Sequence, residues 1–511
     1  MTNEQANNSN TIRTIGIVGC GQMGAGIAQI AAQTGYRVML HDTRADAARN
    51  ACTTLARTWT RLVEKGKLTA DAAQAAQGRL SPVDRLADLA PCDVVIEAIV
   101  ENLDVKRALF ADLEGILAPN AILATNTSSL SVTAIAARLS RPQRVAGFHF
   151  FNPVPLMRIV EVIDGLMTDP EVGDQLLALG QAWGHVAVRA KDTPGFIVNH
   201  AGRGFGTEGL RVLAENIAPV AVIDRILRDC AGFRLGPFEL LDLTGLDVST
   251  PVMESIYHQY FEEPRYRPQP ILKTMQAAGL LGRKTGRGFY VYGDAAQAPL
   301  PDTTWSGTPA ATVWISPAHP ELAERAVRLA KSCGARVSVS KQAEADALIV
   351  VTPLGEDVTS RIAAEQLDAA RTIGIDTLFD TSRRRVLISN PALDPEWAAR
   401  AGALFSADGV PADLVRDSIG LVTQRVVAHI INIACEIAQQ NIASPDDIDR
   451  AVTLGLGYPA GPLAWGDQLG PAVVLALLDN LARISGDPRY RPSPWLRRRA
   501  TLGLSLTTQE V

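Results

Sequence analysis

The stretch that organises this chain reads Arg144-Val-Ala-Gly-Phe-His-Phe-Phe-Asn-Pro-Val-Pro-Leu-Met-Arg-Ile-Val-Glu161. It places two ionisable side chains, His149 and Glu161, in apolar sequence of strand character. The two prolines between them require a turn, because proline fixes its own backbone angle and restrains the residue before it. A reversal near Pro155 would bring His149 and Glu161 face to face, and an imidazole oriented by a buried carboxylate is a general base. For such a pair taken alone, a satisfied core histidine in a structural ion pair is the favoured alternative.

Composition limits the classes of protein to consider. The 511 residues are too many for one core and suggest about three or four domains. The net charge of -5 gives no broad basic field, so we expect no nucleic-acid partner. The six cysteines are scattered and form no CxxC pair, so we expect neither a disulfide framework nor a metal site. The polar stretch Met1–Thr11 has no signal pattern and no apolar run is long enough to span a bilayer, so we expect a cytoplasmic protein without a membrane partner.

A glycine-rich turn follows the first predicted strand. Thr14-Ile-Gly-Ile-Val18 runs into Gly19-Cys-Gly-Gln-Met-Gly24, a helical segment follows, and the next strand ends at Asp42. The glycines let the backbone approach a pyrophosphate, the helix N-terminus faces the phosphates, and the acid accepts from the ribose hydroxyls. An acid at this place favours NAD, whereas Arg44 keeps NADP as the alternative. The predicted cofactor-binding residues here are Gly19, Gly21, Gln22, Met23, Gly24 and Asp42.

Strands and helices then alternate, and the near-continuous apolar strands are typical of a parallel sheet covered on both faces. Polar groups come at the ends of three strands: Glu101, the run Asn126-Thr-Ser-Ser129, and His149. Ligands bind beyond the carboxyl ends of such strands. The convergence of these groups at one edge makes His149 a site candidate.

The later part of the chain repeats the middle part. Three motifs recur at offsets of 225, 225 and 224 residues: Asp192-Thr-Pro-Gly195 with Asp417-Ser-Ile-Gly420, Gly236-Pro237 with Gly461-Pro462, and Pro264-Arg-Tyr-Arg-Pro268 with Pro488-Arg-Tyr-Arg-Pro492. The helical domain therefore occurs twice. We expect an α/β Rossmann-type nucleotide domain followed by an all-α domain, the pair being repeated with a degenerate second copy. The predicted segments are a nucleotide domain (12–191), a helical domain (192–293), a linker (294–310), a degenerate α/β domain (311–410) and a second helical domain (411–505).

The second copy has lost functional residues. It contains no GxGxxG, so we do not expect it to bind a dinucleotide. We interpret Arg385-Val-Leu-Ile-Ser-Asn-Pro391 as the counterpart of the run from Arg144 to Pro153, without the histidine. Gln424 stands where the first copy has Asn199. These losses predict that only the first copy performs chemistry.

Residues 12–293 resemble an NAD-dependent L-3-hydroxyacyl-CoA dehydrogenase. The resemblance rests on Gly19–Gly24, Val95-Ile-Glu-Ala-Ile-Val-Glu-Asn102, Thr125-Asn-Thr-Ser-Ser129, His149-Phe-Phe-Asn-Pro-Val-Pro155 and Asp192–Asn199. The doubled architecture is similar to the long bacterial form associated with phenylacetate degradation, whose substrate is 3-hydroxyadipyl-CoA.

The resemblance implies a role for each matching residue. His149 would take the proton of the C3 hydroxyl while hydride leaves for the nicotinamide, and Glu161 would hold the imidazole. Ser128 and Asn199 would hydrogen-bond the reacting oxygens. Further residues match positions that contact the cofactor (Glu101, Lys106, Asn152, Lys284) or CoA (Lys65, Lys67). For each of these lysines the alternative is a solvated surface cation.

Arg203 carries a separate hypothesis. It follows Asn199 by four residues, so on one helix both would share a face. We expect Arg203 to pair with the far carboxylate of a dicarboxylic acyl chain, the alternative being a structural arginine.

Other functions stay open at this point. The chain could oxidise 3-hydroxybutyryl-CoA or act in general fatty-acid β-oxidation, or it could use a free hydroxy acid. A different class is an idle NAD-binding structural protein of the lens-crystallin kind. The repeat predicts that the two helical domains pair within one chain, with a homodimer as the alternative.

Overall fold

A computed structural model describes residues 12–293, 296, 298 and 300–510. The stretch Met1–Thr11 and residues 294, 295, 297 and 299 of the predicted linker lie outside the described residues. The strands are β1 (Thr14–Val18), β2 (Arg37–His41), β3 (Leu80–Pro82), β4 (Val94–Glu97), β5 (Ile122–Thr125), β6 (Val145–Phe150), β7 (Ile159–Asp164), β8 (Val186–Lys191), β9 (Thr312–Ile315), β10 (Arg336–Ser338), β11 (Leu348–Val351), β12 (Thr372–Ile375), β13 (Arg385–Ile388) and β14 (Ala412–Val415). The helices are α1 (Gln22–Gln33), α2 (Ala47–Glu64), α3 (Ala70–Gly78), α4 (Leu103–Ile116), α5 (Val132–Ala136), α6 (Pro170–Ala182), α7 (Val198–Ala201), α8 (Arg203–Ala214), α9 (Val220–Ala231), α10 (Pro237–Thr244), α11 (Leu246–Gln259), α12 (Ile271–Ala277), α13 (Pro320–Ser332), α14 (Val358–Glu365), α15 (Pro395–Leu404), α16 (Val422–Gln439), α17 (Pro445–Leu456), α18 (Pro462–Leu469), α19 (Pro471–Ser485) and α20 (Pro494–Leu502).

The chain forms two compact units. The first contains residues 12–200 together with residues 440–456, and the second contains residues 201–439 together with residues 457–510. These two units do not test the predicted division of the chain into five segments, which remains a prediction.

The first unit is built on an eight-stranded sheet in the order β3-β2-β1-β4-β5-β6-β7-β8. Neighbouring strands are parallel except β6 and β7, which are antiparallel. The apolar side chains of the central strands are buried, as the near-continuous apolar runs predict for a sheet covered on both faces. This arrangement places the ends of β1, β4, β5 and β6 at one edge of the sheet.

Residues 440–456 pack beside β8, which is an edge strand of this sheet. The Lys191 backbone N–H donates to the Ile442 carbonyl at 2.9 Å, and the Arg189 N–H donates to Asp447 Oδ2 at 3.4 Å. Part of the second helical copy therefore belongs with the first sheet.

The second unit contains a six-stranded sheet in the order β10-β9-β11-β12-β13-β14. Its single antiparallel pair is β12 with β13, and β14 follows β13 in parallel, as β8 follows β7. By this topology β12 is the counterpart of β6, and β13 is the counterpart of β7. The degenerate second copy is thus confirmed, with fewer strands than the first.

The interpretation of Arg385–Pro391 as the counterpart of the Arg144 run is wrong. Arg385 begins β13, the counterpart of β7, so the strand that matches β6 is β12. Two glycines support this assignment: a Cβ at Gly147 would meet the side chain of Ile163, and one at Gly374 would meet that of Ile388. The residue at the place of His149 is therefore Asp376. The two segments have similar residues, but the correspondence of strands depends on their direction in the sheet, which the sequence does not show.

The two helical copies pack against each other within the second unit, where α8 lies against α16. Glu208 of α8 is fully buried. Its carboxylate accepts from Arg425 Nε at 2.8 Å, from Arg489 Nη1 at 3.1 Å and from Tyr490 Oη at 2.5 Å. The predicted pairing within one chain is what the structure shows.

Candidate active site

His149 and Glu161 face each other in the centre of the antiparallel pair β6–β7. His149 Nδ1 lies 2.7 Å from Glu161 Oε2, and the two residues are 4% and 0% exposed. A carboxylate only accepts hydrogen bonds, so Nδ1 carries the proton and Nε2 keeps the lone pair. The turn predicted from the two prolines is confirmed, and it produces an imidazole prepared to accept a proton at Nε2.

The carboxylate of Glu161 is held at both oxygens. Oε1 accepts the backbone N–H groups of Ile197 and Val198, each at 2.9 Å. These groups lie at the start of α7, where a helix leaves N–H groups unpaired and favours a negative charge. The orientation of the imidazole is therefore fixed through Glu161.

Aromatic rings line the histidine. The ring of Phe151 lies 4.5 Å and that of Phe196 lies 5.8 Å from the His149 ring, between centroids. The Phe150 backbone N–H donates to Asn126 Oδ1 at 2.8 Å, which fastens the end of β6 to the loop after β5. The imidazole therefore has apolar neighbours on the sides that these two rings cover.

The loop of residues 126–130 after β5, hereafter the serine loop, is organised by Glu101. Glu101 Oε1 accepts from Thr127 Oγ1 at 2.7 Å and from the backbone N–H groups of Ser128 and Ser129 at 2.9 and 3.1 Å. Burial alone would raise the pKa of Glu101, but the charge of Lys106 and these hydrogen bonds outweigh it and lower the pKa. An ionised Glu101 therefore holds the half-buried Ser128 in place.

Lys106, expected at the cofactor, is buried instead. Its side chain is 1% exposed, and its Nζ lies 2.5 Å from Glu97 Oε1 and 3.3 Å from Glu101 Oε2. Sequence reasoning missed Glu97, although an acid at the end of the apolar strand Val94–Glu97 was a signal for a buried charge that needs a partner. The structure thus adds Glu97 to the group of residues behind the serine loop.

The glycine-rich turn fits a dinucleotide. A Cβ at Gly24 would lie 1.8 Å from the Gly19 carbonyl oxygen, so backbone packing requires that glycine. A Cβ at Gly21 would meet no atom within 4 Å. Gly21 lines an open cleft of about 940 Å³ at the N-terminus of α1, where the backbone can approach a pyrophosphate. Gln22 and Met23 are the first residues of that helix.

Asp42 lies at the end of β2 beside this turn. Its carboxylate accepts the Cys20 backbone N–H at 2.8 Å and the Arg44 guanidinium at 3.0 Å. The Arg44 hydrogen bonds are the main reason that the pKa of Asp42 is lowered to about 2. The acid expected at the ribose is therefore ionised, and Arg44 is tied to it.

The remaining predicted residues lie in three places. Asn152 is exposed in the turn after β6, and Asn199 is half-buried in α7. Lys65 and Lys67 are exposed at the turn after α2. Lys284 and Arg203 belong to the second unit. Lys284 forms an ion pair with Asp247.

Arg203 begins α8 in the second unit, whereas Asn199 lies in the separate short helix α7. The single helix on which the shared face was predicted is therefore divided at Gly202. Burial lowers the pKa of Arg203 to about 10, and the neighbouring Tyr458 acts in the opposite direction.

Features typical of two other classes of protein are absent from the described residues. Among them, no helix is both long and apolar enough to cross a membrane. The same residues contain no cluster of three or more His, Cys, Asp or Glu side chains arranged to hold a metal ion.

Known proteins share this architecture. The family model described as "3-hydroxyacyl-CoA dehydrogenase, NAD binding domain" matches residues 14–193. The model described as "3-hydroxyacyl-CoA dehydrogenase, C-terminal domain" matches residues 195–292 and residues 420–509, which confirms the repeat of the helical domain.

Individual relatives match either nearly all of the chain or about half of it. A 3-hydroxyadipyl-CoA dehydrogenase of Escherichia coli K12 is 40% identical over 492 residues, or 96% of this chain and 98% of that protein. The human mitochondrial hydroxyacyl-coenzyme A dehydrogenase is 39% identical over 288 residues, or 55% of this chain and 91% of that protein. A crystal structure of 3-hydroxybutyryl-CoA dehydrogenase from Escherichia coli K12 is 38% identical and has a TM-score of 0.85, covering 96% of this chain and 99% of that chain.

These relatives are enzymes by name and give no support to the crystallin-like alternative. The geometry of His149 and Glu161, the glycine-rich turn and the doubled helical domain agree with the family matches. The chain belongs to the 3-hydroxyacyl-CoA dehydrogenase family and is an NAD-dependent oxidoreductase of that family.

Proposed function

We propose that this enzyme oxidises the C3 hydroxyl of an L-3-hydroxyacyl-CoA to the 3-oxoacyl-CoA with His149 as general base. The observation that carries the proposal is the 2.7 Å contact between His149 Nδ1 and Glu161 Oε2. NAD, when bound, supplies the ring carbon that accepts the hydride from C3. The hydroxyl proton passes to Nε2 of His149, and Glu161 stabilises the imidazolium until the proton leaves for solvent.

Ser128 and Asn199 position the substrate in this proposal. The Ser128 hydroxyl, in a loop held by Glu101, donates to the oxygen at C3, and the Asn199 amide donates to an oxygen of the acyl group. Groups fixed before the substrate arrives lower the entropic part of the barrier. The support is that the serine loop is held in one conformation: the backbone N–H groups of Ser128 and Ser129 both donate to Glu101 Oε1.

The cofactor contacts follow from the cleft. Gly19, Gly21, Gln22, Met23 and Gly24 would hold the pyrophosphate at the start of α1, and Asp42 the adenosine ribose. Four further residues are proposed to contact the cofactor or to order the groups that do: Glu101, Lys106, Asn152 and Lys284. Because Lys106 is buried, its contribution would pass through Glu101.

The acyl group is proposed to be ω-carboxylated, as in 3-hydroxyadipyl-CoA. The support is the full-length relative that carries this name and the same doubled architecture. Arg203 is the proposed partner of the far carboxylate, because a guanidinium can bind a carboxylate through two parallel hydrogen bonds. Lys65 and Lys67 are proposed to bind the CoA phosphates.

A second candidate substrate is 3-hydroxybutyryl-CoA. It is favoured by the full-length relative of known structure that carries that name. Either substrate places the enzyme in β-oxidation-type fatty-acid degradation, and the ω-carboxylated one in phenylacetate degradation.

The setting of the enzyme is also a proposal. Buried free thiols support a reducing, cytoplasmic compartment. The net charge of -5 supports function without nucleic acid. Because α8 and α16 already pack together within one chain, we infer that whole-chain dimerisation is not needed to cover the helical domain.

A substrate panel tests the proposed function. The rate of NADH formation would be measured with 3-hydroxyadipyl-CoA, 3-hydroxybutyryl-CoA, a long-chain ester and the free 3-hydroxy acids, each with NAD and NADP. The proposal expects turnover of CoA esters with NAD and the highest kcat/KM for the ω-carboxylated ester. Turnover of the free acids alone would contradict it. A preference for 3-hydroxybutyryl-CoA, or equal losses on both esters in Arg203→Ala, would remove the role of Arg203.

A further inference from the structure

Glu97 is a fully buried carboxylate whose three hydrogen-bond partners are all donors. Oε1 accepts from Lys106 Nζ at 2.5 Å and from the Ile99 backbone N–H at 2.7 Å, and Oε2 accepts from Thr125 Oγ1 at 2.7 Å. An ion in this position is stable only when its partners neutralise it. Glu97 ends β4, so it lies behind the sheet edge at which His149 and the serine loop meet.

One route from Glu97 to the serine loop passes through charges. Glu97 fixes Lys106, whose ammonium lies 3.3 Å from Glu101 Oε2. The other oxygen of Glu101 accepts the N–H of Ser128 at 2.9 Å. Three charged groups in a row, negative, positive and negative, therefore end on the residue that is proposed to contact the substrate.

A second route passes through hydroxyl groups. Thr125 donates to Glu97, and its Oγ1 accepts the backbone N–H of Thr127 at 3.2 Å. Thr127 in turn donates to Glu101 Oε1 at 2.7 Å and accepts the N–H of Leu130 at 3.0 Å. Both threonines are fully buried, so the two routes form a closed network around the serine loop.

We propose that Glu97 is a positioning residue of the dehydrogenase reaction, which sets the place of Ser128 through Lys106 and Glu101 and through Thr125 and Thr127. The inference rests on the proposed function, because it assigns Ser128 to the oxygen at C3. Glu97 itself touches neither substrate nor cofactor in this account. An amide in its place would turn an N–H group toward donors and remove the charge that holds Lys106.

Three variants of the full-length chain and one control test this inference. The variants are Glu97→Gln, Lys106→Met and the double variant, and the control is Asp93→Asn. Asp93 lies just before the same strand, at its opposite end, and accepts two backbone N–H groups, so it matches Glu97 as a carboxylate without reaching the serine loop. For each protein kcat, KM and Tm would be measured with an acyl-CoA substrate and NAD.

The inference expects kcat of Glu97→Gln to fall by about 10- to 100-fold, the range for a misplaced reacting group. Each single variant leaves a buried charge without its counterpart, so Tm falls; the double variant removes both charges, and Tm recovers. The discriminating result is that kcat stays low in the double variant, because Glu101 has lost its cation.

Two results would overturn the inference. One is a kcat of Glu97→Gln within about twofold of wild type, and the other is a kcat that recovers together with Tm in the double variant, which is the behaviour of a purely structural pair. Failure of the proposed function is distinguishable, since wild type and Asp93→Asn would then both fail to oxidise the acyl-CoA. If Glu97→Gln does not fold, Thr125→Val, which removes the hydroxyl contact with Glu97 and leaves Lys106 in place, carries the test, and a kcat within about twofold of wild type would overturn the inference.

Discussion

Asp376 occupies in the second sheet the position that His149 occupies in the first. His149 lies in β6 and Asp376 directly follows β12, and each of these strands pairs in antiparallel fashion with the next one, Phe148 with Val162 and Ile375 with Leu387. Asp376 is buried, and its Oδ1 accepts from Gln424 Nε2 at 3.1 Å. Gln424 stands in turn at the place of Asn199. At these two positions the second copy therefore has a hydrogen-bonded amide–carboxyl pair in place of His149 and Asn199.

Asp376→Asn should stabilise the protein at pH 8 and leave turnover within about twofold of wild type. Burial raises the pKa of Asp376 to about 6, against the hydrogen bonds from Gln424 and Leu378. A carboxyl whose folded pKa is raised loses stability as pH rises from its unfolded value, about 3.9, through about 6. The variant lacks this loss, so unfolding at pH 8 should need about 1–3 kcal/mol more. Denaturant curves at pH 8 and pH 5 would show the gain shrinking at pH 5, and an equal loss at both pH values would refute the assignment.

Asp42→Ala should weaken discrimination between NAD and NADP. The carboxylate, with a pKa of about 2, is ionised at every working pH and repels a 2′-phosphate. Its removal also releases the Arg44 guanidinium, which can then bind that phosphate. We expect KM for NAD to rise about tenfold and kcat/KM for NADP to increase.

Asp84→Asn is the matched control for the cofactor test, because Asp84 is an exposed acid that pairs with Arg49. Steady-state kinetics with both cofactors would decide. An unchanged NAD-to-NADP ratio in Asp42→Ala would remove Asp42 from the ribose site.

The parts of this site that could be predicted from the sequence were those set by local sequence patterns. The prolines and the period-two placement of Glu161 sufficed to predict the His149–Glu161 pair, because turn and alternation are local properties. The burial of Lys106 was not predictable, since its partner Glu97 lies on another element and a lysine alone reads as a surface cation. The hydrogen bonds of Glu101 to the serine loop were not predictable either, because they depend on how two strand ends meet.

Fold prediction met a similar limit. The motif repeat predicted the doubled helical domain, because three short motifs keep their spacing over the whole copy. Assigning Arg385 to the wrong strand followed from matching letters without strand directions. The packing of residues 440–456 with the first sheet could not be foreseen either, because it depends on tertiary contacts such as that of Lys191 with Ile442.

Glu208→Gln should lower the free energy of unfolding of the second unit by about 3–5 kcal/mol, the usual cost of breaking a buried ion pair. Burial alone would raise the pKa of Glu208, but the charges of Arg425 and Arg489 outweigh it and hold the pKa well below its usual range. A carboxyl of this kind stabilises above its unfolded pKa, about 4.3, and loses that contribution as pH falls. The difference from wild type should therefore be full at pH 7 and smaller below pH 4.

Asp479→Asn provides the comparison for Glu208, because Asp479 and Arg497 form a half-exposed pair worth at most about 1 kcal/mol. Thermal unfolding of the three proteins at pH 7 would separate the two cases. Equal Tm values for Glu208→Gln and Asp479→Asn would show that the buried network does not hold the helical copies together.

The most direct test of the account is the kcat of His149→Gln with an L-3-hydroxyacyl-CoA and NAD, followed as NADH absorbance. General base catalysis contributes about 10²- to 10⁴-fold, so kcat should fall by that factor while KM for NAD stays near its wild-type value. A variant that is folded and keeps kcat within about threefold would contradict the role of His149 as the base.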